Sequence, residues 1–187
     1  MNEKALIIRD VANLLLNGKN DKARSVLSRE YPYGFNKVQE RKYTDSEKIR
    51  IFFRDGFIDR YTGDRLVIPG MLKVLSYYFP EKFPYHPHWK MEETHIAYWE
   101  LVPTIDHVIP IALGGDDNEE NWVTTSMLHN AVKSNWTLEQ IGWNLVERGD
   151  LEEWDGLARS FIDIVDADTQ LLDDQYISKW YRLAKRK

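Results

Sequence analysis

The sequence predicts an α+β protein, mostly helical, with a small antiparallel β element at its centre. Three observations carry that expectation. Apolar residues recur at helical spacing near both ends of the chain. The run Thr44-Asp-Ser-Glu47 is a capping box, with Ile49, Phe52 and Phe53 following at helical spacing. Residues 103–135, PTIDHVIPIALGGDDNEENWVTTSMLHNAVKSN, read as strand, Gly-Gly turn, strand and helix.

Taken in order, residues 2–16 predict a helix with Leu6, Val11, Leu14 and Leu15 as its apolar stripe, stopped by Asn17-Gly18. Residues 21–29 predict a second helix with Ala23, Val26 and Leu27 inward, so 1–43 is a helical hairpin and linker. The capped helix from Thr44 ends at Asp55-Gly56. Residues 57–67 predict a hairpin around Thr62-Gly63-Asp64. Residues 69–79 predict a helix between an opening proline and Pro80. The Pro- and aromatic-rich run FPEKFPYHPHWK follows, and residues 95–102 alternate enough to predict a strand. Strands are then expected at 104–109 and 122–125, and a helix from near Ser126. Residues 137–146 predict a helix with a Thr-x-x-Gln box. Trp154, Leu157, Phe161 and Val165 mark another helix, and Leu172, Tyr176, Trp180 and Leu183 a last one. The expected organisation is 1–43, a core over 44–136 with an aromatic-rich insert at 64–102, and helices over 137–187 packing on that core.

A chain of 187 residues, 43% apolar and 29% charged, has the composition of a soluble globular protein with a sizeable core. No apolar run reaches membrane-spanning length. There is no cysteine, hence no disulfide and no thiolate zinc site. With no export signal, the expected location is cytoplasmic. Seven Trp and ten Tyr are a heavy aromatic load that builds cores and also stacks on bases. The net charge of −5 argues at first sight against a nucleic-acid partner, yet residues 147–174 alone hold ten Asp/Glu and two Arg, so the rest is net positive. Phosphate contact depends on local potential rather than the total.

Phosphodiester hydrolysis needs a base for water, a cation to offset phosphoryl and leaving-group charge, and a scaffold to place both. Histidine suits the base because it is largely neutral at pH 7. Aspartate suits a hard Mg²⁺ or Mn²⁺. The central stretch offers Asp106-His107 on its first strand and two helix candidates for the metal, His129 and Asn130. Adjacent strand residues point to opposite faces, so Asp106 and His107 can share a target only where the strand bends or ends. Pro110 is consistent with that.

Asn121 lies fourteen residues after His107, Asn130 nine beyond it and Lys133 three further, with Gly114-Gly115 between the strands. In these positions the stretch resembles the HNH endonuclease family of ββα-metal fold, in its HNN form. The resemblance covers about residues 54–135 and implies a role for each residue. His107 is the general base, Asn121 braces the loop that orients it, Asp106 and Asn130 hold one Mg²⁺ or Mn²⁺, and Lys133 contacts phosphate. Arg54-Asp-Gly-Phe57 matches the lead-in to the zinc knuckle of many members, but Asp59, Thr62, Ser126 and His129 stand where its four cysteines would be. No structural zinc is expected there. A hydrogen bond from Asp59 or Thr62 to Ser126 or His129 is expected in its place, which also makes Asn130 rather than His129 the ligand. Arg54 and the insert residues His86, His88 and Lys90 are candidate nucleic-acid contacts. His86, His88 and His95 lack a carboxylate at convincing spacing for a second metal. The resemblance implies a restriction-type or defence nuclease acting on double-stranded DNA. Its alternatives are a homing or phage-type nicking enzyme, or a catalytically silent nucleic-acid-binding module. A homodimer is compatible with double-strand cutting.

Overall fold

The computed structural model describes residues 3–34 and 43–186. The chain divides into two compact units, 1–37 and 38–187. In the first, α1 (Glu3–Leu16) and α2 (Asn20–Glu30) form a helical hairpin. Gly18 turns it at φ 68°, and the Lys19 amide closes back on the Leu14 carbonyl. Only Val11 and Ala23 are buried, while Leu15, expected inward, is 52% exposed.

In the second unit, α3 (Asp45–Arg54) starts at Thr44 with both hydrogen bonds of the expected capping box. Residues 57–67 form a tight turn with the single bridge Ile58–Arg65 rather than a full hairpin. The inner bonds of that turn run from the Asp59 amide to the Asp64 carbonyl and from Gly63 back to Asp59. Helix α4 (Pro69–Tyr78) follows, opened by proline.

The strand expected over 95–102 is instead a short helix, α5 (Ala97–Leu101). His95 Nδ1 accepts the Ala97 amide and starts the turn. Tyr98 and Leu101, three apart and so on one helix face, then pack in a cluster with Val67 and Leu72. The alternation read in the sequence was this i, i+3 pairing.

Strands β1 (Pro103–His107) and β2 (Trp122–Ser126) form the sheet, antiparallel, from Pro103 opposite Ser126 to His107 opposite Trp122. Ser126 caps α6 (Met127–Lys133) by accepting the His129 amide. The helix expected over 137–146 is only α7 (Leu138–Ile141), because Gly142 takes the left-handed conformation that ends it. The next helix begins late: Leu157 is left-handed and α8 runs Ala158–Ala167. Leu172 lies in a 3₁₀ turn before α9 (Gln175–Ala184).

Phe52, Phe57, Ile105, Trp122, Phe161, Ile177 and Trp180 share one core, in which α3 packs on one face of the sheet while α8 and α9 pack on α4 and on each other. Burying each such side chain contributes roughly 1.5–3 kcal/mol. Helix α6 meets the other face through Lys133 and Asp106. Among the described residues no helix is long and apolar enough to cross a membrane.

Candidate functional site

Directly opposed residues share a sheet face, so His107, Trp122 and Ile105 lie on one side and Asp106 on the other. The two side chains accordingly have separate partners. On the His107 side, Nε2 lies 2.8 Å from Asp117 Oδ1, and the Trp122 indole Nε1 lies 3.0 Å from the same oxygen. A carboxylate accepts and an indole N–H donates, so Nε2 must carry the proton in its bond to Asp117. Trp122 then donates to Asp117, although it also lies 3.1 Å from Nε2. In the neutral ring Nδ1 is then the acceptor, facing the Tyr43 hydroxyl at 3.1 Å. Tyr43 sits edge-on to Trp122 and, with it, closes over the imidazole, which is 1% exposed.

On the other face, Asp106 Oδ2 accepts from the Tyr61 hydroxyl at 2.6 Å and pairs with Lys133 Nζ at 2.8 Å. Burial first, and then the Asp106 carboxylate, push the Tyr61 hydroxyl far above its usual range, so it keeps its proton and donates it to Asp106. Lys133 is fully buried and also donates to the His107 carbonyl at 2.7 Å. Lys133, expected at phosphate, here has its ammonium on Asp106 and the His107 carbonyl, tying α6 to the end of β1. Asp106 Oδ1 takes no hydrogen bond from a described residue.

Asn121 ties together the two ends of the loop between the strands. Its Nδ2 donates to the Ile109 and Asp116 carbonyls and its Oδ1 accepts the Ile109 amide, all at 2.8 Å. Gly115 lies so close that a Cβ there would stand 1.9 Å from the Ile109 oxygen and 2.8 Å from Asn121 Nδ2. Gly115→Ala will therefore push the Asn121 clamp open and lower stability by about 1–3 kcal/mol, measured by denaturant unfolding. An unchanged midpoint would mean that the loop yields freely.

The expected substitute for the missing thiolates is centred on Asp59. Its buried carboxylate takes the Ser126 amide at 2.8 Å, His129 Nδ1 at 2.7 Å, the Thr125 hydroxyl at 3.0 Å and the Tyr61 amide at 3.0 Å. Thr62 takes no part and bonds to Asp64. His129 is thus committed to Asp59. Asn130 lies three residues before Lys133, on the same helix face, and its side chain has no hydrogen-bond partner among the described residues.

Arg54 is also committed internally. Expected as a nucleic-acid contact, it grips Asp55 at 2.9 and 3.0 Å and donates to the Glu119 and Trp122 carbonyls. Asp55 is further held by Arg60, Arg148 and the Thr124 amide. His86 and Lys90 both face Glu93, His86 Nδ1 accepts the His88 amide, and His88 is exposed.

Sequence reasoning missed Tyr43, Tyr61 and Asp117. Asp117 carried a faint signal, an acid in the loop after Gly114-Gly115; the two tyrosines carried none.

No family model, curated protein or solved structure matches this chain. Among the described residues no three His, Cys, Asp or Glu side chains converge as a metal site. The donor set still fits one hard ion that keeps most of its water. Among the described residues nothing hydrogen-bonds to Asp106 Oδ1 or to the Asn130 side chain, both of which offer oxygen of the kind a hard ion takes.

Proposed function

We propose that this protein is a metal-dependent endonuclease hydrolysing DNA phosphodiester bonds, of the ββα-metal type. The observation that carries the reading is the fixed His107 ring. Asp117 holds its Nε2–H, so Nδ1 keeps a lone pair able to take a proton from water. Asp106 and Asn130 would hold Mg²⁺ or Mn²⁺, which when bound offsets charge on the phosphoryl group and the leaving 3′-oxygen. Asn121 keeps the loop that carries Asp117 against the end of β1. Lys133 holds Asp106 and the His107 carbonyl together. Water reaches Nδ1 only after the Tyr43 hydroxyl turns away, so substrate binding must include that movement. The water oxygen bonds to phosphorus, its proton passes to His107, and the bond to the 3′-oxygen breaks, leaving 5′-phosphate ends. A restriction-type or defence role suits such an enzyme.

The closed site favours a second reading, a catalytically silent nucleic-acid-binding module, because His107 is buried and Asp106 is already paired with Lys133. Cleavage of plasmid and phage DNA with Mg²⁺ or Mn²⁺, against an EDTA control, separates the two. The nuclease reading expects nicked or linear product with 5′-phosphate ends. Asp106→Asn keeps the side-chain shape and an acceptor for Tyr61 but leaves the buried Lys133 ammonium without its counter-charge, so it is read beside a melting curve; in the folded fraction cleavage will fall about 10–100-fold together with metal affinity by calorimetry. DNA binding without cleavage under either metal would establish the silent module instead.

A further inference from the structure

A cleft of about 490 Å³ opens beside the start of β1 and the start of α6, on the two elements that carry Asp106 and Asn130. Its floor includes Pro103, Thr104 and Met127. Its walls are aromatic: Phe52 from α3, Trp89 from the insert, and Tyr176 and Trp180 from α9. Thr104 lies two residues before Asp106, about 7 Å along the strand.

Two features separate this cleft from an ordinary surface dent. Trp180 is 5% exposed, and its Nε1–H is, among the described residues, the one buried side-chain nitrogen or oxygen without a hydrogen-bond partner. The Tyr176 hydroxyl is near enough to feel that N–H, but no hydrogen-bond geometry is reached. A buried donor left unmade is costly, so an acceptor that reached it from the cleft Trp180 lines would be favoured. The second feature is charge. Lys48 and Lys179 line the rim and share one carboxylate, Asp45, at 3.4 and 3.2 Å. Lys179 lies over the Tyr176 and Trp180 rings at 5.3 and 5.4 Å from their centroids. The adjoining groove adds Arg182 and Arg186 and still has only Asp45 as counter-charge. In a chain of net charge −5, this is a cationic strip leading into an aromatic slot.

We infer that the cleft binds a single nucleotide, with its base stacked among Trp89, Tyr176 and Trp180, a base acceptor on Trp180 Nε1–H, and its phosphate at Lys48 and Lys179. Stacking on aromatic faces plus a positive rim is the chemistry by which proteins hold unpaired bases. A ring flipped from a duplex must be read inside a slot of this kind. The inference rests on the nucleic-acid reading above and deepens it: the cleft would seat one nucleotide beside the strand to be cut. The ligand is either a nucleotide extruded from DNA or a free nucleotide, and the test separates them.

The full chain is titrated in EDTA, where cleavage cannot occur, with two probes. One is a DNA duplex carrying 2-aminopurine; the other is the four deoxynucleoside 5′-monophosphates, followed by the Trp180 indole N–H resonance. A change in 2-aminopurine fluorescence that the cleft variants abolish assigns the cleft to an extruded nucleotide. A shifted indole resonance with the monophosphates alone assigns it to a free one. Trp180→Phe keeps a ring and removes the donor, and will weaken binding about tenfold. Lys48→Gln with Lys179→Gln, both surface changes, will weaken it similarly and flatten its salt dependence. Wild-type binding by both variants, or no response to either probe, overturns the inference. Full cleavage by the cleft variants overturns the seating role and leaves the nuclease reading standing. Nucleotide binding by a chain that cleaves nothing with any divalent metal overturns the nuclease reading and leaves the cleft.

Discussion

His107→Ala will lower metal-dependent DNA cleavage by roughly 10²–10⁴-fold, the contribution of a positioned general base. The buried environment makes this more than a routine deletion. The ring is held by Asp117 on Nε2 and faces Tyr43 across Nδ1 at 3.1 Å. Its removal leaves Asp117 with Trp122 as partner and Tyr43 without the imidazole, costing about 1–3 kcal/mol of stability. The measurement is therefore paired: single-turnover cleavage at saturating Mg²⁺, with a melting curve at the same pH. A variant that stays folded, binds DNA as the wild type does and does not cut supports the base role. One that stays folded and cuts at the wild-type rate removes His107 from the chemistry.

How far the sequence could lead to this site depends on the distance between partners. The capping boxes at Thr44 and Thr137, the proline opening α4 and the strand–turn–strand–helix order are local, and each formed as read. Gly142 was equally visible, yet the apolar residues after it suggested a longer helix than its left-handed turn allows. Short segments misled where two periods fit the same letters, as at Ala97–Leu101. The roles of charged residues were least legible. Nothing local to Lys133 says that its ammonium will meet a carboxylate 27 positions earlier, and a lysine near a helix end normally reads as solvated. Arg54 looked like a free cation for the same reason, with its carbonyl acceptors more than 60 residues away. Asp59 is the exception. It stands where the resemblance would place a cysteine, so a cross-link there was expected before its partners were seen.

That cross-link sets the second large effect. Asp59→Ala will destabilise the fold by about 3–5 kcal/mol, the usual result of removing one member of a buried charged network. A single carboxylate joins the 57–67 turn, the end of β2 and the first turn of α6, through the Tyr61 amide, the Thr125 hydroxyl, the Ser126 amide and His129. With alanine, the two amides and the hydroxyl lose their acceptor in a buried setting, and none has another among the described residues. For a chain of this length, roughly 2–4 °C of melting temperature is lost per kcal/mol, so the midpoint should fall by about 10 °C. Thr62→Ala provides the contrast. Thr62 also occupies a former knuckle position, but its hydroxyl bonds only within its own turn, to Asp64, and its loss should cost under about 0.5 kcal/mol. Because α6 carries Asn130 and Lys133, loosening its first turn should also reduce cleavage before the protein unfolds. Cleavage by Asp59→Ala that fell well below its folded fraction, at a temperature where most molecules remain folded, would show that the Asp59 network positions the site. Equal melting midpoints for the Asp59 and Thr62 variants would mean that α6 is held by its packing on the sheet alone.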